Sequence, residues 1–228
     1  MLPLFVASFD KLNGQLSSLK ERFCEYLADI AINSSIDQGP DGFLFRFLLT
    51  IDIEGRVFIA KHIEYFLHKM DNGAIDVVWN RWLHEYLESR LEGVPRALDV
   101  EEVKEMIKWV SAFETEFPDV VRLICQMPVP SVEDTTIYWR IYEKKLAKQY
   151  PDDLARLLVY LLPATKEPFY ALNIVVNIVK DLITAQADET CLKYIIDQLA
   201  VLGLESAAEL RNTIIPGKQI WDTYQCVI

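Results

Sequence analysis

Apolar residues recur at three- and four-residue steps from one end of this chain to the other, in segments of twelve to twenty residues. They nowhere alternate convincingly with polar ones over six residues or more. The first spacing builds one stripe of a helix and the second one face of a strand, so the pattern restricts the chain to helices. Leu16, Leu19, Phe23, Tyr26, Leu27 and Ile30 make the first clear stripe. Later stripes are Ile59, Ile63, Phe66, Leu67 and Met70, then Leu154, Leu157, Leu158 and Leu161. Residues 174–179 (IVVNIV) are β-branched enough for a buried strand, but their length and lack of flanking turns favour helix. With only eight glycines in 228 residues, tight connections between antiparallel helices follow. The expected fold is all-α, an irregular helical bundle or α-solenoid-like array of about 9–11 helices.

Punctuation divides these helices. A short helix is expected over residues 4–10, and Ser34 to Gly42 reads as a loop. Asp71-Asn72-Gly73 makes a turn. Gly93 ends a long amphipathic helix because it takes a positive φ without penalty, and Pro95 keeps the helix from restarting. Asp99 followed by Glu102 reads as a capping box, and Ser206 with Glu209 as another. Pro118 and Pro151 suit first-turn positions. Met127-Pro128-Val129-Pro130 is stiff and extended. The chain therefore reads as one domain over 1–228, with a possible subdomain break near 127–131. In the second half, inward positions are expected at Tyr138, Ile141, Tyr142 and Leu146, at Leu172, Val175, Val176 and Val179, and at Cys191, Tyr194, Ile195 and Leu199. The tail GKQIWDTYQCVI is expected to dock as a strand or stay loose.

Charge narrows the function classes. The formal net charge is −11. Twelve acidic residues against five basic ones in 71–120 carry most of it. Nucleic-acid binding draws on basic surface to displace counterions, so this balance argues against it. The local group Arg140, Lys144, Lys145 and Lys148 is the one basic concentration, and it reads first as a solvated helix face. No basic segment precedes an apolar N-terminal run, and no stretch approaches the roughly 18 apolar residues of a membrane span. Cys24, Cys125, Cys191 and Cys226 form no C-x-x-C pair and are expected as free thiols in a reducing cytosol. A cytoplasmic protein without membrane contact is expected.

Chemistry-bearing patterns are sparse. His62 and His68 fall on different faces of one helix, and His84 with Glu88 makes a pair short of a zinc site. No nucleophile elbow, P-loop or dinucleotide-binding glycine pattern occurs. No catalytic residue, metal or cofactor is therefore expected. Asp99, Glu101, Glu102 and Glu105 sit where carboxylates favour a helix dipole. Arg90 stands apart. It shares a face with Trp79, Leu83 and Tyr86, and an arginine there needs a partner, because an unpaired buried charge is costly. A carboxylate of the 99–105 helix is the expected partner, with a partner-binding role as the alternative. Arg81, Glu85, Glu88 and Glu92 read as the solvated side. Trp79, Trp82, Tyr86 and Trp109 are expected as core rather than as a ligand cage.

The order Trp79, Trp82, Tyr86, Arg90, Gly93-Val94-Pro95, then Glu102, Met106, Trp109 and Phe117-Pro118 resembles a prokaryotic helical domain of unknown function. That domain is often found C-terminal to sirtuin-like domains in anti-phage defence proteins. The resemblance covers about forty residues. It implies an all-α module that docks or senses a protein partner, or a sirtuin-like effector domain, and carries no chemistry of its own. The alternative from the residues is a helical domain with a buried small-molecule or catalytic pocket.

Overall fold

The computed structural model describes residues 17–33, 42–93, 97–132, 136–165 and 169–214. The helix expected over 4–10, the loop after Asn33, Leu16, Val94 and Pro95, Cys226 and the tail after Ile214 lie outside them. The described residues are all-α. Their one β pairing is a single parallel bridge between Val132 and Thr165. The segment IVVNIV is helical. Two compact units divide at Pro130, one of residues Met1–Pro130 and one of residues Ser131–Ile228.

In the first unit, α1 (Ser17–Asn33) packs on α3 (Ile53–Leu67), and α3 packs on α6 (Val100–Trp109). Short α2 (Phe43–Thr50) touches α3 and α5 (His84–Leu91), and α5 meets α7 (Phe117–Ile124). Aspartates start several helices, each accepting a backbone N–H that has no partner within the helix. Asp52 accepts from Gly55 (2.9 Å) and Asp71 from Ala74 (2.9 Å). Asp99 accepts from Glu101 (2.9 Å). Asp71 is thus a cap, where the sequence suggests only a turn. Gly93 closes α5 with φ of 77°, in the left-handed region.

Two helix faces differ from expectation. In α1 the buried residues are Cys24, Leu27, Ala28, Ala31 and Ile32, whereas Leu19 and Tyr26 are exposed. Small side chains let α1 approach α3 closely, so the face with less apolar bulk is the inner one. The second difference lies in the run that continues into α5. Helix α4 (Asn72–Val78) passes into a π segment, Trp79–Leu83, before α5 begins. The His84 N–H bonds to the Trp79 carbonyl, five residues back. The buried positions explain why. They are Ile75, Trp79, Leu83 and Leu87, and Val78, Trp82, Tyr86 and Arg90, two rows with a strict four-residue repeat. An α-helix turns about 400° over four residues, so such rows drift by about 40° per repeat. One wider turn absorbs about 90° of that drift and returns both rows to one face.

In the second unit, α8 (Thr136–Glu143) and α9 (Leu146–Gln149) pack on α11 (Phe169–Thr184). Helix α10 (Pro151–Leu161) packs on α12 (Glu189–Val201), and α12 on α13 (Ser206–Ile214). Leu154, Leu157, Leu158, Leu161, Leu172, Val175, Val179, Ile195 and Leu199 fill this core. Tyr142 and Tyr194, expected inward, are instead exposed. The reason at Tyr142 is local. Helix α8 ends at Glu143, and Lys145 turns the chain with φ of 56°. At Tyr194 the inner stripe runs one position along, through Leu192, Ile195, Ile196 and Leu199. Ser206 is the first helical residue of α13 rather than its cap.

Candidate functional site

The buried charges of the first unit form the most specific constellation among the described residues. Arg56, near the start of α3, continues inward along the stripe of Ile59, Ile63 and Leu67. Arg90 ends the row that the π segment keeps inward. Glu102, in the first turn of α6, stands between them. None of the three is more than 2% exposed.

Arg90 grips the carboxylate with two hydrogen bonds. Its Nε donates to Glu102 Oε1 and its Nη2 to Oε2, both at 2.9 Å. This is the fork geometry in which arginine binds carboxylates most strongly. Arg56 Nε donates to Oε2 from the other side, also at 2.9 Å. Two cations thus share one anion. Carbonyls take up part of the excess. Arg56 Nη1 donates to the Ile51 carbonyl at 2.8 Å, at the negative end of α2. Arg90 Nη2 reaches the Ala97 carbonyl at 3.5 Å. Tyr86 lies beside the group, and burial, with the Glu102 carboxylate nearby, pushes its phenol above the ordinary range. Trp109, on α6, donates from Nε1 to the Ala60 carbonyl of α3 at 2.8 Å.

The arrangement accounts for the residues that the sequence marks. Arg90 finds its carboxylate in the 99–105 helix, has no exposed surface to offer a partner, and ties α5 to α6. Trp79, Trp82, Tyr86 and Trp109 are buried, with Tyr86 edge-on to both Phe45 and Trp82. Glu102 departs from the capping box. Asp99 caps the helix alone, and both Glu102 oxygens face the arginines. Sequence reasoning misses Arg56 altogether, since charged residues are read as outward. Its place three and seven residues before Ile59 and Ile63 is the signal that could have found it. With both oxygens engaged and no solvent at hand, Glu102 is placed to hold helices together, not to move protons.

Arg81 also departs from the solvated reading. Its Nη2 donates to the carbonyls of Ala31 and Ile32, at 3.0 and 2.9 Å, at the C-terminal end of α1. There a cation satisfies carbonyls that the helix leaves open. At the surface, His84 Nε2 lies 3.2 Å from Asp119 and 3.6 Å from Glu88, and its ring meets Trp79 edge-on. Arg122 completes that cluster, 2.6 Å from Asp119. No group of three or more His, Cys, Asp or Glu among the described residues is set to hold a metal. His68 lies 3.4 Å from Ser111 Oγ. His62 Nε2 is buried without a hydrogen-bond partner, and burial lowers its pKa below the ordinary 6.5.

In the second unit a groove of about 350 Å³ opens between α12 and α13. Ile196, Ala200, Leu204 and Ala207 line it, and the ion pair of Asp197 and Arg211 (2.8 Å) sits at its edge. Its walls are mostly apolar, and the one ion pair is not a convergent set of polar groups for catalysis. The thiols of Cys24, Cys125 and Cys191 are free. No described helix is long and apolar enough to cross a membrane. In comparisons with protein-family models, curated proteins and solved structures, the chain matches none.

Proposed function

We propose that this chain is a non-catalytic helical module that docks or senses a protein partner, and that it serves a cytoplasmic prokaryotic anti-phage defence assembly. The observation that supports docking is the outer face of α1, where Leu19 and Tyr26, seven residues apart and so on one stripe, are 52% and 61% exposed. Bulky apolar groups aligned on one helix face are what a partner surface covers. The interior fits such a role. Its buried charges are consumed in holding helices, which leaves a rigid scaffold for surface recognition. The defence assignment is carried by the resemblance of the Trp79–Pro118 stretch alone.

The test is cross-linked capture from bacteria challenged with phage, with the parent chain and a Leu19→Glu/Tyr26→Glu variant side by side. A partner retained by the parent and lost by the folded variant is expected. Identical captures from both chains would remove the α1 face from the proposal.

A further inference from the structure

On α8, Trp139 and Tyr142 stand three residues apart, which makes them neighbours on a helix surface. They are 48% and 36% exposed. The opposite side of α8 is fully occupied. Ile137, Tyr138 and Ile141 are buried, and Tyr138 donates its hydroxyl to Thr165 Oγ1 at 2.8 Å. The aromatic pair therefore cannot turn inward without dismantling the second unit's core. Directly after it come Lys145 and Lys148, both exposed. Lys145 holds a left-handed φ of 56°, where glycine would sit without strain. Arg140 and Lys144 lie on the same stretch and make contacts of their own within the chain. Glu143 is the single acidic residue from 136 to 150.

We infer that the exposed aromatic pair of α8, with the exposed lysines that follow it, binds an acidic segment of a protein partner, with an apolar side chain of that segment seated against Trp139 and Tyr142. The inference rests on the reading of the chain as an interaction module and names the chemistry of its partner. Charge complementarity selects the occupant. The cations are local, in a chain whose net charge is −11. Four phosphate contacts at most would hold a long polyanion there. A short acidic segment places its few carboxylates only where the lysines are. A membrane surface would need a larger apolar face than two rings on an eight-residue helix.

The test uses the full chain and a fluorescein-labelled peptide that alternates glutamate with leucine, followed by anisotropy. Binding is expected, weakened by salt, and weakened about tenfold or more in Lys145→Glu/Lys148→Glu. Trp139→Ala is expected to weaken it at constant salt dependence. Lys145→Gly separates the side chain from the fold, because it relieves the left-handed strain while removing the charge. It is expected to keep or raise the Tm and still bind less. Absence of peptide binding, equal binding by the charge-reversed chain, or binding of oligothymidylate or phosphatidylserine vesicles in its place would each overturn the assignment. Partner capture through α1 in the Leu19/Tyr26 experiment is read separately, so failure of one surface is not mistaken for failure of the other.

Discussion

Residues up to Pro130 bury two guanidiniums and a carboxylate, whereas the described residues from Ser131 onward bury no charge and rely on leucine, isoleucine and valine. Among the second unit's described residues, a polar link in the core joins Tyr138 to Thr165, whose hydroxyl in turn donates to the Leu161 carbonyl at 3.0 Å. Apolar packing tolerates small slips, because any neighbouring methyl group serves nearly as well. A bidentate arginine does not, since a rotated helix leaves the charge unpaired in a dry interior. The first unit therefore fixes the rotation of α5 about its axis, while the second fixes mainly how closely its helices approach.

That contrast is broken most severely by changing register. Deletion of Glu85, an exposed residue beyond the π segment, turns Tyr86 to Arg90 by about 100° and is expected to abolish cooperative folding of the first unit. Deletion of Asn80, exposed and within the π segment, removes the extra residue and leaves the later faces nearly in place. It is expected to cost no more than about 2 kcal/mol in urea denaturation. Equal damage from both deletions would mean that the π turn is not a register correction.

The next largest effect tests charge itself. Glu102→Leu strands both arginines and is expected to cost about 3–5 kcal/mol. The triple replacement Arg56→Met/Glu102→Leu/Arg90→Met should recover most of that loss, since an apolar cluster of similar volume removes the need for pairing. A triple variant as unstable as the single one would show that the side chains matter for shape more than for charge.

The second unit should respond more mildly at its polar link. Tyr138→Phe keeps the ring and removes one hydrogen bond, for about 1 kcal/mol in thermal unfolding. The smallest effect concerns His62. Burial holds its folded pKa below 6.5, against the pull of Glu25 and Glu21, while Lys61 adds to the lowering. The unfolded chain thus binds a proton that the folded one resists. Its contribution is complete above pH 6.5 and declines as the pH is lowered through that value toward the folded pKa. His62→Leu is expected to flatten the slope of stability against pH in that window, read from urea midpoints.

Much of the helical layout was legible in residue spacing, because burial acts on every turn alike. The stripes through Leu154 to Leu161 and through Trp79 to Arg90 are where periodicity places them. Four features escaped for definite reasons. The inner face of α1 is built from Cys24, Ala28 and Ala31, and a pattern weighted by apolar size selects Leu19 and Tyr26 instead. Arg56 escaped because one charge on an apolar stripe looks like an interruption until its partner is known, and that partner lies forty-six residues away. Glu102 satisfied a local rule for helix starts, but the interior arginines made a stronger claim on its carboxylate. The π segment was present in the strict four-residue repeat of its buried positions, a period that α-helical templates count as a match without registering the drift.

The inner face of α1 also makes a clock. Cys24 has no exposed surface, and burial pushes its thiol up to about 12. Alkylation needs the thiolate and access to it, so at neutral pH this sulfur reacts only while α1 has lifted from α3. Cys125 and Cys191, half-buried, mark faster reactions on the same chain. The rate at which a maleimide adds to Cys24 is thus a direct reading of how often the first unit opens, with no residue substituted and no denaturant present.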